Sequence, residues 1–468
     1  MDLNDDRARP MTTHVTMGRS DERCGMRFVA KTLAVTTALT MAVTGVAAAA
    51  PPELPTPPKP RFTKTVQPSL FGMHVHDLSN PVPQVNQKFG AIRIWDNGVR
   101  WDEINTANNV YDFSKLDAVV ANAEATGANE IMYVLGSTPE WLATDTSIPN
   151  YLGAVGANSM PRDLGAWDKW VREVVSKYKG RIDSYQVWNE VNFSSFFSGT
   201  PEQMVELTRR AAKIVHDVDP SAEVVTGSAI VRQMRKATKV AKQSAAISKK
   251  SFFYNYMAGL KKKKVKFDAV GMHLYPWFKA GPGDGTPFDR EQGARDAQAV
   301  LDHFKFRQPM YDTEMAYGNR RNNGWPKKVL PAKIGAAYLA QTYIYGMVNN
   351  VPQVYWYGWD DHVLGVDVTD AATGKVLAPG IAYDTVMTWL ARAKIGACTT
   401  GNGGINTCSI KQGGQKQYLV FRNSKASKTY SVSKKWKVEQ VCDVNNTCTA
   451  LKGNRRLQVG ISPLLVKP

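Results

Sequence analysis

Cysteine is scarce in this chain and unevenly placed. Five occur in 468 residues, and none lies between Cys24 and Cys398. The four at Cys398, Cys408, Cys442 and Cys448 share the last seventy-odd residues, with no histidine among them. That excludes a zinc site of familiar spacing. In an exported protein an even, clustered set reads as two disulfides. Three pairings are possible, and proximity favours Cys398–Cys408 with Cys442–Cys448. Long apolar runs are lacking too, apart from one near the start. Arg27 and Lys31 precede an apolar stretch from Thr32 to Val46, and Ala47 to Ala50 then offer a small-residue cleavage site before Pro51-Pro52. This is the pattern of a signal peptide starting at Met26, which leaves residues 1–25 upstream of it. An uncleaved membrane anchor is the rival, weakened by the threonines and glycine of the run. No other stretch is apolar enough to span a bilayer, so stable membrane insertion is not expected.

Acidic residues are in deficit, with 41 Asp and Glu against 59 Lys and Arg, for a net charge of +18. The first fifty residues hold six basic and five acidic groups, so the remainder carries +17. Such an excess favours anionic polymers or surfaces, beside the plainer reading of a solvated basic surface. No nucleic-acid motif is visible. An exported chain points instead to an anionic wall or extracellular polysaccharide. Hydrophobic content of 43% and charged content of 21% are those of a globular protein.

A glycine-rich phosphate loop is also missing. Phe71-Gly72-Met73-His74 lacks the G-x-G-x-x-G spacing of a doubly wound sheet. What is present is an alternation of short apolar runs with amphipathic helices. Strand candidates begin at Phe71, Ala91, Ile131, Ser184, Val224, Asp268, Pro309 and Val354, with helices between them, one of them opened by Thr200-Pro201. Eight such strands predict a (β/α)₈ TIM barrel over 67–395. It follows a leader and signal peptide (1–50) and a proline-rich linker (51–66). After Gly396 short alternating runs such as Tyr418-Leu419-Val420-Phe421 predict a small antiparallel, β-sandwich-like domain over 396–468.

Two of the barrel strands end in glutamate. Ser184-Tyr185-Gln186-Val187 runs into Trp188-Asn189-Glu190, and Pro309-Met310-Tyr311-Asp312-Thr313 runs into Glu314. A barrel places its chemistry at the C-terminal ends of its strands. Two carboxylates facing one pocket are what a retaining glycosidase needs. With Arg93, Thr138-Pro139-Glu140-Trp141 and His273-Leu274-Tyr275, these motifs resemble the glycoside hydrolases of clan A, most nearly family 39. The resemblance covers about 67–395. It implies Glu190 as acid/base and Glu314 as nucleophile. It implies that Asn189 bonds the sugar 2-hydroxyl, that Arg93 keeps Glu314 ionised, and that Tyr275 bonds Glu314. His273, His76, Trp141, Trp356 and Trp359 complete the expected substrate-binding set, with the strand-eight tryptophans as sugar platforms. Glu140 and Asp312 are decoys, Asp312 being expected on the face of Glu314 but deeper. The function implied is a secreted retaining glycosidase acting on an extracellular or cell-wall polysaccharide. It needs no cofactor or metal, and a monomer is expected. A non-catalytic carbohydrate-binding barrel and a transglycosylase are the alternatives.

Overall fold

The computed structural model describes residues 65–80, 88–230, 249–276, 285–321, 327–451 and 453–468. The leader, its cleavage site, most of the linker and most of the lysine-rich connection after Arg232 lie outside these residues. Nine short parallel strands carry the first part of the chain: β1 (Phe71–Met73), β2 (Ala91–Ile94), β3 (Ile131–Leu135), β4 (Ser184–Val187), β5 (Glu223–Val225), β6 (Ala229–Ile230), β7 (Val270–His273), β8 (Met310–Met315) and β9 (Val354–Trp356). They pair in the order β5-β4-β3-β2-β1-β9-β8-β7-β6. A parallel bridge from Val225 to Ala269 joins the ends. β5 and β6 therefore share one stave, and the eight staves form a closed (β/α)₈ barrel. Nearly every strand residue is buried, as strands covered by helices outside and by packed side chains inside must be.

The helices between are α1 (Trp101–Ile104), α2 (Ser114–Ala125), α3 (Leu164–Lys177), α4 (Pro201–Val218), α5 (Phe252–Lys262), α6 (Pro287–His303), α7 (Ala332–Asn349) and α8 (Ala378–Leu390). α4 starts as its sequence dictates. Thr200 accepts from the Gln203 N–H, the Gln203 side chain answers the Thr200 N–H, and Pro201 takes the first turn. Phe113 occupies the cap of α2, and the Asp112 carboxylate accepts from the Ser114 N–H.

Inside the barrel, Ala91, Met132, Val225, Ala269, Tyr311 and Tyr355 form the floor. Gly72 is required beside it, because a Cβ there would stand 2.5 Å from the Tyr355 ring. Alternation carries the same faces upward, from Ala91 to Arg93 on β2 and from Tyr355 to Tyr357 past the end of β9.

The C-terminal part is an antiparallel sheet of β10 (Lys394–Gly401), β11 (Ile405–Gln412), β12 (Gln415–Arg422), β14 (Gln440–Cys442), β15 (Cys448–Ala450) and β17 (Leu464–Lys467), ordered β10-β11-β12-β17-β14-β15. A two-stranded layer of β13 (Lys428–Ser431) and β16 (Arg456–Val459) accompanies it. Val420, Val432, Val438, Val459 and Val466 belong to one buried cluster there. β17 follows β16 as the last strand of the chain's described residues. The disulfides are Cys398–Cys408 and Cys442–Cys448, each joining partners directly opposite in an antiparallel pair. Among the described residues no helix is long and apolar enough to cross a membrane.

Candidate active site

Arg93 organises the mouth of the barrel. It is fully buried on β2, so each of its guanidinium N–H groups needs a partner. Nε donates to Gln186 Oε1 at 3.0 Å and Nη2 to Asn189 Oδ1 at 2.7 Å. Nη1 donates to Glu314 Oε2 at 3.0 Å and lies 3.3 Å from His74 Nε2. His74, on the segment after β1, also reaches the Thr313 carbonyl at 3.0 Å. The Asn189 oxygen being held by Arg93, its NH₂ end is the one left for a ligand.

Glu190 follows β4 in a left-handed turn, with φ of +77° at Trp188 and +46° at Glu190. Such backbone persists where its surroundings hold it. The Trp188 indole donates to the Phe196 carbonyl at 2.7 Å, and its ring lies over Gly136. The Glu190 N–H donates to Ser228 Oγ at 3.0 Å, in the break between β5 and β6. Glu190 Oε1 stands 2.9 Å from His273 Nδ1. His273 is wholly buried, and burial together with the Arg93 charge lowers its pKa well below the ordinary imidazole value. It is neutral.

Glu314 sits across from Glu190 at the end of β8. Tyr275 Oη donates to its Oε1 at 3.0 Å, while Arg93 holds Oε2. Burial nevertheless outweighs the pull of Arg93 and pushes the Glu314 carboxyl up to about 7, with Asp96 adding to the rise. The expected contact between Arg93 and Glu314 is present and favours the ionised form, but desolvation of a carboxylate at such depth is the larger effect.

Asp312 does not share the face of Glu314. The pairing of β8 with β9 shifts register between Asp312 and Met315, which turns Glu314 to the mouth while Asp312 faces α6. There Asp312 receives Arg290 Nε and Nη2 at 2.8 and 2.6 Å. Glu140 is exposed on the loop after β3.

The strand-eight tryptophans are a second correction. Trp356 is 0% exposed and packs on Tyr317, and Trp359 is 3% exposed with its ring edge-on to Phe89. Rings without free faces cannot stack on a sugar. Alternation with the inward Tyr355 sends Trp356 outward, and Tyr357 is the aromatic that reaches the mouth. Its hydroxyl donates to Asp96 at 2.8 Å, and it lies edge-on to His74 and His76. Trp141 is half-buried, its indole donating to the Asn105 carbonyl at 3.0 Å. His76 is half-buried with Nδ1 3.3 Å from Asp360. Burial alone would lower its pKa, but the hydrogen bond to Asp360 and the charges of Asp96 and Asp361 raise it. Gln186, His74, Tyr357, Asp96 and Ser228 were not singled out from sequence. Three of them were within reach of it: Gln186 is a polar residue on an inward strand position, and His74 and Tyr357 each lie one residue past a strand end.

One oxygen each of Glu190 and Glu314, with a nitrogen of His273, lie within 4.8 Å of one another. Carboxylates and imidazole are metal-ligating types. Here the Arg93 guanidinium already stands against Glu314, and His273 already bonds Glu190. The arrangement can move protons and place a carboxylate against an electrophile.

The model of glycosyl hydrolase family 10 matches residues 70–205, a span that holds Asn189 and Glu190. A β-1,4-xylanase of Dictyoglomus thermophilum is 30% identical over 135 residues, 28% of this chain and 36% of that protein, so little more than a third of that relative's length is matched. A family 39 glycoside hydrolase from Bacteroides cellulosilyticus superposes with a TM-score of 0.60 at 15% identity, covering 86% of this chain and 81% of that one. In fold the barrel is similar to those of solved glycoside hydrolases. A glucosidase from Croceicoccus marinus superposes at a TM-score of 0.61 and 15% identity, covering 86% and 96% of the two chains. A family 44 endoglucanase from Clostridium thermocellum does so at 0.53 and 11%, covering 86% and 96%.

Proposed function

We propose that this chain is an exported, retaining glycoside hydrolase that cleaves O-glycosidic bonds of an extracellular polysaccharide by double displacement. The observation that carries this reading is the approach of Glu190 and Glu314, whose facing oxygens lie within 4.8 Å. A retaining pair is separated by about 5–5.5 Å, whereas an inverting pair needs roughly 6.5–9.5 Å to admit water. Glu314 is the nucleophile. Both its oxygens face donors, Arg93 and Tyr275, which suit the ionised form. Glu190 is the acid/base. Its nitrogen neighbour is a neutral imidazole, which adds no charge to force the proton off. In the first step Glu190 protonates the leaving oxygen while Glu314 attacks the anomeric carbon. In the second, Glu190 takes a proton from water, which releases the sugar from Glu314. The amide of Asn189 is directed at the sugar 2-hydroxyl, where a hydrogen bond can strengthen in the transition state. The disulfides support an oxidising destination.

Proton NMR of products from xylan, xyloglucan and cellulose panels tests this. The first-formed product should keep its anomeric configuration. Glu314→Ala should form no glycosyl-enzyme, and azide should restore turnover with inversion. Glu190→Ala should form the intermediate from substrates with good leaving groups, stall, and yield a retained azide product. An inverted wild-type product, or near wild-type activity in both variants, refutes the assignment.

A further inference from the structure

The basic excess of this protein is concentrated at one end. Residues 394–468 carry thirteen lysines and arginines against Glu439 and Asp443 as the sole acids. Within that segment three lysines are brought side by side by strand register. Lys394 on β10 pairs with Lys411 on β11, and Lys411 pairs with Lys416 on β12. Directly opposed residues of an antiparallel pair point to the same face, and neighbouring strands lie about 4.8 Å apart. The three side chains therefore form a ladder across the sheet, and all are exposed.

Like charges placed directly opposite destabilise a sheet, so this ladder is opposed by its own electrostatics unless something anionic covers it. Among the described residues, lysine ion pairs join Lys177 to Asp117 and Lys213 to Asp217, and none reaches the ladder. The register is held by other means. The turn between β11 and β12 is Gly413-Gly414 with φ of +54° and +84°, and Gln412 donates to the carbonyls of Thr388 and Ala391 at the end of α8. An aromatic surface adjoins the charges. Lys416 Nζ lies 5.5 Å from the Tyr418 ring centroid, and that ring stacks on Trp436 at 3.7 Å and 5°. Trp436 is half-buried and flanked by the exposed Lys434 and Lys435.

We propose that the Lys394–Lys411–Lys416 ladder, with the Tyr418–Trp436 stack beside it, is a binding site for a linear anionic polysaccharide carrying a carboxylate on its successive sugars. The rung spacing is close to the length of one sugar residue in an extended chain, so neighbouring lysines can each meet a carboxylate. Tyr418 is buried beneath Trp436, so the half-exposed Trp436 is the ring left to take a pyranose face. A nucleic acid would bring charge of the same sign and bases able to stack on Trp436, but no nucleic-acid motif accompanies this ladder, and DNA is therefore the competing ligand in the test. The site stands apart from the barrel mouth and does not depend on the glycosidase reading.

Affinity electrophoresis of the full chain through gels containing polygalacturonate, neutral dextran or single-stranded DNA tests the site. The compared proteins are the wild type, the triple variant Lys394→Ser/Lys411→Ser/Lys416→Ser, and a control of equal charge loss, Lys262→Ser/Lys263→Ser/Lys266→Ser. Polygalacturonate should retard the wild type more than DNA does, and dextran should not retard it. The ladder variant should lose affinity by about tenfold or more and show a weaker salt dependence, because fewer counterions are released. The control should stay within about twofold. The ladder variant should melt close to the wild type, because the like-charge contacts it relieves offset the Lys416–Tyr418 contact it loses. Equal losses in both triple variants would reduce the effect to bulk charge and overturn the proposal. So would an unretarded wild type, or DNA bound as tightly as polygalacturonate and lost with the ladder.

Discussion

At the scale of single residues, Glu314 is held between opposing effects. Burial drives its carboxyl toward the neutral form, up to about 7, and Arg93 and Tyr275 pull the other way. A nucleophile must be ionised, so kcat/KM should fall as the pH drops through about 7. Tyr275→Phe removes a hydrogen bond that favours the ionised form. That should raise the carboxyl further and move the acid limb of the profile to higher pH, beyond any loss of rate. A pH series at substrate concentrations far below KM measures the limb; a limb that stays in place or moves down contradicts the role given to Tyr275. The two glutamates, Asn189, Arg93, His273 and Tyr275 were legible in the sequence because each ends a strand or follows one closely. Asp312 and the two tryptophans were misread where strict alternation decides direction. A register shift no periodicity reveals turned Glu314 inward, and Trp356 could be placed only once Tyr355 was known to face the barrel floor.

Among the elements, the strands could be read from short apolar runs, but their ends could not. β1 stops at Met73, and the segment after it places His74 against Arg93. The fifth stave was expected as one piece. It breaks at Thr226-Gly227-Ser228, where the chain runs so close to β4 that a Cβ at Gly227 would stand 2.5 Å from the Val187 carbonyl, and the break is where Ser228 meets Glu190. The disulfides are the elements most open to measurement. Each closes a short loop, with sequence separations of 10 and 6. In the chain-entropy account such closures are worth roughly 2–3 kcal/mol, more for the longer loop. Replacing Cys398 and Cys408 together by alanine should therefore lower urea-unfolding stability by about 2–3 kcal/mol, and replacing Cys442 and Cys448 by somewhat less. Variants indistinguishable from the wild type would show that neither cross-link constrains the unfolded chain.

For the whole molecule, stability and pH are linked through carboxyls far from the mouth. Burial raises Glu130 to about 7, opposed in part by its hydrogen bonds from Ser69 and Gln353, with Glu223 and Asp183 adding to the rise. A carboxyl raised in the folded state contributes stability that is complete below its unfolded value and is lost as the pH climbs through about 7. The buried neutral His74 and His273 act in the opposite sense on acidification, so the comparison must isolate one group. Glu130→Gln should gain in melting temperature relative to the wild type as the pH rises from 5 to 8. A difference that stays constant or shrinks would remove Glu130 from the linkage.

The barrel and the C-terminal sheet share one hydrophobic core. Leu419, Phe421, Val444, Ile461 and Leu465 belong to the same buried cluster as the barrel helices. Gln341 of α7 donates to the carbonyls of Arg422 and Ile461, and the Tyr345 ring meets Phe421 edge-on. This continuity limits how the gene can be recombined. A crossover near codon 394 would give each product a bare apolar face where the other half had been, so the cationic sheet is not a cassette that can be moved onto another enzyme. Whatever the lysine ladder holds, it is inherited with the barrel, and the two can diverge only by substitution in place.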